Sequence, residues 1–266
     1  MKTTALAPLL ALVLLAGCGS GGGGDFNLVS LEEEWQLGQQ LAADIARQMP
    51  LVTDPAANAY ITRLGERLVS QTPMARLPWG FHIVDSPEIN AFNIPGGHVY
   101  VTTGLIGAAD NVAELAGVMS HEIAHGVERH ATENMTKAYG LNILASVLLG
   151  QDPAVYQQIL AQIVGGGALA SFGRDAEREA DILGTRFMTS AGFNPQGMVT
   201  MFQELLSRRQ QQPGAVQKFF STHPLTENRI DLVRSEIASI RPSGNLVTNT
   251  EEYAAFRSRY GRTPSA

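Results

Sequence analysis

Two histidines four residues apart with a glutamate between them, His121-Glu122-Ile123-Ala124-His125, carry the strongest chemical signal in this 266-residue chain. On a helix turning about 100° per residue, His121 and His125 differ by about 40° in azimuth and one turn in height. Both imidazoles can therefore reach one metal ion at ~2.0–2.1 Å. The spacing is that of a zinc hydrolase, in which the intervening glutamate faces the attacking water and takes its proton. Upstream, Asn111 to Ser120 reads as the same helix, with Asp110 as its N-cap and Val112, Leu115, Val118 and Met119 as its apolar positions. The motif is thus predicted to sit mid-helix.

A hydrolytic zinc site needs a third protein ligand and an open fourth position. One large class places a glycine three residues after the second histidine and a histidine three further on; here those positions hold Glu128 and Ala131, which excludes it. His130 lies about 140° round a continued helix from His125 and about 180° from His121, so it is predicted to point away, as a surface or helix-packing histidine. A second predicted helix, from about Asp175 to Ser190, carries Glu177, and a glutamate from a separate helix completes a His₂Glu set. Asp181, one turn later, faces the same way and is placed to accept a hydrogen bond from the distal nitrogen of a metal-bound histidine. Glu179 points about 200° from Glu177, towards solvent. The same acidic run also suits a helix N-terminus on electrostatic grounds alone, and the two readings are compatible.

Four motifs in order carry a family resemblance: Asn90 to Leu105, His121 to His125, Arg174-Asp175-Ala176-Glu177-Arg178-Glu179-Ala180-Asp181, and Thr222-His223-Pro224-Leu225-Thr226-Glu227-Asn228-Arg229-Ile230. They resemble the zinc metallopeptidases that include the CAAX prenyl endopeptidase, HtpX and the periplasmic beta-barrel assembly-enhancing protease, over most of Leu31 to about Ser239. The resemblance implies one zinc ion per chain and an α+β fold, a mainly helical gluzincin-type domain with a small antiparallel sheet. It also implies that His223 and Arg229 meet the developing oxyanion, and that Asn90-Ala91-Phe92 forms an edge strand for substrate. The chain departs from the family at Gly173, where a serine usually precedes the arginine, and it shows no tetratricopeptide period after the catalytic region. His223 precedes Pro224 at a predicted helix N-terminus, where the dipole disfavours imidazolium. A neutral His223 would donate to the oxyanion or occupy the open metal position as a latch; a plain helix cap is the simpler alternative.

The N-terminus bears on compartment. Lys2, an apolar run from Ala5 to Ala16, and Leu15-Ala16-Gly17-Cys18 resemble a lipoprotein signal with its lipobox, too short to span a membrane as a helix. Cys18 is the only cysteine, so an internal disulfide is impossible and lipid attachment gives the thiol a use. Residues 1–17 are expected to be cleaved, and 18–29 to form a lipidated, Gly-rich tether. No aspartate follows Cys18, which by similarity with other lipoproteins favours the periplasmic face of the outer membrane. With 19 basic and 25 acidic side chains, net −6, the surface argues against nucleic acid.

The positioning elements follow from periodicity. Ser30 with Glu33 makes a capping box for a helix ending at Pro50, and Asp54-Pro55 opens another to about Ser70. Trp79–Asp85 and Gly97–Thr102 read as strands, with helices from Pro195 to about Arg209, from Pro224 to about Ser239, and from Thr250 to Tyr260. Tyr139 to Ala170 reads as an apolar helical hairpin, with Gly165-Gly166-Gly167 as a joint, forming part of the core or a lid over the site. His82 and His98 are expected to be structural or exposed. The catalytic domain is assigned to residues 30–245 and a tail to 246–266. The expected function is an envelope zinc endopeptidase acting on misfolded or stalled envelope proteins, in possible association with outer-membrane assembly machinery. The alternative is a lipoprotein chaperone or scaffold with a latched or inactive zinc site.

Overall fold

The computed structural model describes residues 29–166 and 171–262; the signal sequence, Cys18, nearly all of the tether, and Gly167 of the glycine joint lie outside them. Ser30 opens helix α1 (Leu31–Gln48) as its sequence predicts, its hydroxyl accepting from the Glu33 N–H while the Glu33 carboxylate accepts from the Ser30 N–H. Asp54 caps α2 (Pro55–Val69) with proline at its first turn. Strands β1 (Gly80–Val84), β2 (Ala91–Ile94) and β3 (His98–Thr102) follow, then α3 (Thr103–Ala108) and α4 (Val112–Val127). Next come α5 (His130–Tyr139), α6 (Leu141–Leu148), α7 (Pro153–Gly166) and α8 (Arg174–Ser190). The chain continues with α9 (Gln196–Gln211), α10 (Gln217–Thr222), α11 (Glu227–Ile240) and α12 (Glu251–Tyr260).

The fold is a mainly helical α+β arrangement with one small sheet, but that sheet is mixed rather than antiparallel. After β1 the chain runs past the sheet through Asp85–Asn90 and enters β2 on the far side. A tight turn with Gly96 and Gly97 at φ +82° and +71° then returns β3 between the two. β3 therefore pairs antiparallel with β2 and parallel with β1. Alternation along β3 separates two apolar clusters: Val99 and Val101 face α2 and α4, while Tyr100 joins Phe92, Leu41, Ile45 and the buried residues of α6 and α7. His82 and His98 form a stacked, partly buried pair on the second face, their ring nitrogens 3.1 Å apart.

α4 is buried along its whole length, so the motif helix is the spine of the molecule. Its N-cap is Asn111 rather than Asp110: the Asn111 side chain accepts from the Glu114 N–H, while Asp110 is drawn outward to Arg257. The hairpin expected from Tyr139 onward is α6 and α7, with Leu144, Val147, Tyr156, Ile159, Leu160 and Ile163 buried. Among the described residues no helix is long and apolar enough to cross a membrane. α12 docks on α2 and α3, where Tyr253 donates to the Ala109 carbonyl at 2.9 Å and Phe256 stacks on Tyr60 at 4.2 Å.

Candidate metal centre

α8 lies against α4, and Gly184 allows the close approach: a side chain there would begin 3.0 Å from the His121 backbone nitrogen. Two turns earlier on the same face α8 presents Glu177. Its Oε1 is 3.4 Å from His125 Nε2 and its Oε2 is 3.6 Å from His121 Nε2, while the two Nε2 atoms are 3.1 Å apart. With ligand bonds of ~2.0–2.1 Å, the edge of a tetrahedral zinc site is about 3.3 Å. Two imidazoles and a carboxylate at these separations match three corners of such a site.

The fourth corner is held by the chain itself. His223 Nδ1 lies 3.0 Å from Glu177 Oε1 and 3.4 Å from His121 Nε2, and its Nε2 lies 3.3 Å from Glu122 Oε1. All five side chains are buried. Yet both Glu122 oxygens and His223 Nε2 lack a hydrogen-bond partner. Buried polar atoms are nearly always paired, so these orphans point to a group that the protein atoms alone do not supply. The donor set, two imidazoles and a carboxylate with a third imidazole in reach, suits zinc, and these residues fit it.

Electrostatics follow from the same packing. Burial raises the Glu177 carboxyl pKa, but the charge of His223 and hydrogen bonds from His125 and His223 overcome it and hold the group well below the carboxylate range. Burial holds His125 well below its usual value, in the neutral form that ligates metal. Burial also lowers His223, but the Glu122 and Glu177 carboxylates outweigh it and leave the ring raised. This differs from the neutral His223 expected from the sequence, and the reason is local: His223 is the C-cap of α10, while the following helix starts only at Glu227. The dipole argument therefore reverses sign.

The other residues singled out in the sequence fall into place around this core. Asp181 Oδ1 is 3.1 Å from His121 Nδ1, a bent approach, and its two oxygens accept from Arg229 Nε at 2.7 Å and Nη2 at 2.6 Å. Arg229 Nη1 also donates to Glu177 Oε2. Its fork is thus turned to two carboxylates, which makes it a positioning group for Glu177 rather than the oxyanion donor expected. Of the Asn90-Ala91-Phe92 segment, Ala91 and Phe92 fall in β2, an edge strand of the sheet, and all three residues are buried. The next residue, Asn93, donates to the Glu122 carbonyl at 2.6 Å and ties that strand to the motif helix.

Two residues escaped the sequence reading. Of the two readings of His130, surface or helix-packing, burial leaves the second, but the ring does not point away: Arg129 takes φ 59°, α4 ends, and α5 starts with His130 buried and its Nδ1 2.9 Å from His125 Nδ1. Glu179, half-exposed as expected, nevertheless reaches His130 Nε2 at 3.4 Å. Phe172 stacks on the His125 ring at 4.0 Å, and its N–H donates to the Thr222 carbonyl beside His223. Neither position carries a local pattern: the first depends on a left-handed arginine, the second on a contact fifty residues distant.

Residues 55–237 match the family model of Peptidase family M48. The chain is 32% identical over 242 residues to the beta-barrel assembly-enhancing protease of Escherichia coli strain K12, covering 87% of this chain and 49% of that one. It is 30% identical over 208 residues to a mitochondrial metalloendopeptidase of Schizosaccharomyces pombe, covering 77% and 61% respectively. A putative beta-barrel assembly-enhancing protease of Vibrio cholerae is 32% identical over 213 residues, covering 76% and 43%. The chain spans about half the length of the curated bacterial relatives it matches.

Proposed function

The chain belongs to peptidase family M48, and from that premise we propose that it is a zinc-dependent endopeptidase of the bacterial cell envelope that cleaves misfolded or stalled envelope proteins. The observation that carries the reading is the convergence of His121, His125 and Glu177 donor atoms at 3.1–3.6 Å beside a Glu122 carboxylate that accepts no protein hydrogen bond. His121, His125 and Glu177 would hold the zinc. Bound there, it would polarise the scissile carbonyl and acidify the attacking water. Glu122 takes the water proton and delivers it to the leaving amine, a task for which both its oxygens are free of protein hydrogen bonds. Asp181 orients His121, and Arg229 fixes Asp181 and Glu177 together.

His223 acts as a latch in this reading. Its Nδ1 sits within the ligand cluster, where water and substrate must enter, and Phe172 covers His125 from the same side as Thr222. The edge strand at Asn90-Ala91-Phe92 is the rail on which substrate adds as a further strand, with backbone hydrogen bonds that tolerate any side chain. Residues 30–245 form the catalytic domain, and 246–266 a tail whose helix docks on it. The lipobox-like Leu15-Ala16-Gly17-Cys18 supports anchoring through Cys18 to the periplasmic face of the outer membrane, after removal of residues 1–17. Similarity to the beta-barrel assembly-enhancing protease of Escherichia coli supports substrates, and an association, within outer-membrane assembly.

The full chain expressed with its signal is expected to fractionate with membranes and to cleave an unfolded outer-membrane protein in a reaction stopped by a chelator and restored by zinc. Cys18→Ser is expected to move it to the soluble fraction. His223→Ala is expected to cleave faster than the parent. Cleavage indifferent to chelation would remove the metallopeptidase proposal; slower cleavage by His223→Ala would assign that ring to the oxyanion instead of a latch.

A further inference from the structure

Each candidate ligand histidine has a nitrogen left over, and the two are served differently. His121 Nδ1 lies 3.1 Å from a carboxylate, Asp181, the type of partner common among zinc-binding histidines. His125 Nδ1 faces no carboxylate and no carbonyl; it faces the Nδ1 of His130, 2.9 Å away in the buried interior. Two imidazole nitrogens can share one hydrogen only if one ring donates and the other accepts.

Metal ligation through Nε2 leaves the proton of His125 on Nδ1, so His125 must donate and His130 Nδ1 must accept. The single proton of neutral His130 then sits on Nε2, and an acceptor is needed there. Glu179 supplies it, its Oε2 3.4 Å from His130 Nε2. The direction of every hydrogen bond is thereby fixed, from the metal side outward: His125 to His130 to Glu179. The backbone supports the same end. Arg129, at φ 59°, turns the chain so that His130 comes back under His125, and its guanidinium is locked by Glu34 at 2.6 Å and by the Val29 carbonyl at 2.6 Å. A non-glycine residue held in the left-handed region is strained and persists where surrounding contacts enforce it.

We propose that His130 is a positioning residue for the metal site, holding His125 in its Nδ1–H tautomer and ring orientation through a His125–His130–Glu179 relay. This rests on the reading of His125 as a metal ligand. It goes beyond that reading in assigning a function to two residues outside the ligand set, one of them at the surface.

The test is zinc affinity by competition with a chromophoric chelator, together with the visible spectrum of the cobalt-substituted protein and the melting temperature of the metal-free form. His130→Ala is expected to weaken zinc binding by roughly 10–100-fold and to perturb the cobalt spectrum. His130→Asn, whose amide oxygen can accept from His125 Nδ1–H, is expected to recover most of both. Glu179 is half-exposed, so replacing it does not threaten the core: Glu179→Ala should weaken zinc binding, and Glu179→Gln, which keeps an acceptor, should not. Parent-like zinc affinity in His130→Ala or in Glu179→Ala would overturn the relay, as would a His130→Asn chain as weak as His130→Ala with the same metal-free melting temperature. A parent chain that binds no zinc would instead remove the reading of His125 as a ligand, a distinct failure.

Discussion

Glu122→Gln is expected to abolish cleavage of unfolded protein, by at least ~10³-fold, while the chain keeps its full complement of metal. General acid–base catalysis contributes about 10²–10⁴-fold, and the amide can neither take the water proton nor return one to the leaving amine. Glu122 is absent from the cluster of side chains able to hold a cation, so the metal should not notice the change. Folding should suffer little: both carboxylate oxygens lack protein hydrogen bonds, so the isosteric amide breaks none and gives up only the charge contact with His223 at 3.3 Å. The measurement is turnover alongside metal content and melting temperature on the same preparation. Residual activity near that of the parent would show that another group acts as the base; an envelope phenotype fully rescued by the inactive chain would point to a scaffold.

Arg229→Ala is expected to be the most damaging single change to stability, about 3–5 kcal/mol, with loss of metal as a second effect. Breaking a buried ion pair by removing one partner leaves the other charge uncompensated, and that range is typical. Here one guanidinium faces two buried carboxylates, Asp181 and Glu177. Burial lowers the Arg229 pKa, but the hydrogen bond and charge of Asp181, with the charges of Glu177 and Glu122, outweigh it and leave the group raised. Without the fork, Glu177 and Asp181 lie on one face of α8 with only each other and the histidines. Arg229→Lys retains the charge but cannot bridge both carboxylates in the same plane, so it should recover only part of the loss. Urea denaturation of the three chains with metal removed checks the claim, and a metal-free Arg229→Ala chain as stable as the parent would refute it.

What could be read in the sequence divides along a physical line. His121, Glu122 and His125 share one helix, and Glu177 and Asp181 share another, so helical periodicity alone orients each set. The resemblance to a metallopeptidase family added their mutual approach, and the matched family model supports that identification. Element boundaries held where chemistry is local, as at the Ser30–Glu33 box and the Asp54-Pro55 start. They slipped where two adjacent residues can both cap, as with Asp110 and Asn111. Strand direction was not legible, because the return of β3 between β1 and β2 depends on how the chain crosses the sheet, not on alternation. The surroundings of His130 and His223 were not legible for a common reason: the first was referred to a helix continued through it, the second to a helix starting directly after it. A left-handed Arg129 and the early end of α10 set those rings instead.

The most direct test of the account is metal content per chain in the parent and in Glu177→Ala, each saturated with zinc and then desalted, with zinc-edge X-ray absorption on the parent. The account predicts one zinc per parent chain, bound by nitrogen and oxygen at ~2.0–2.1 Å with no sulfur, and its loss on desalting of Glu177→Ala. A parent chain that retains no divalent metal, or a Glu177→Ala chain that retains a full equivalent in an unchanged coordination shell, would contradict it.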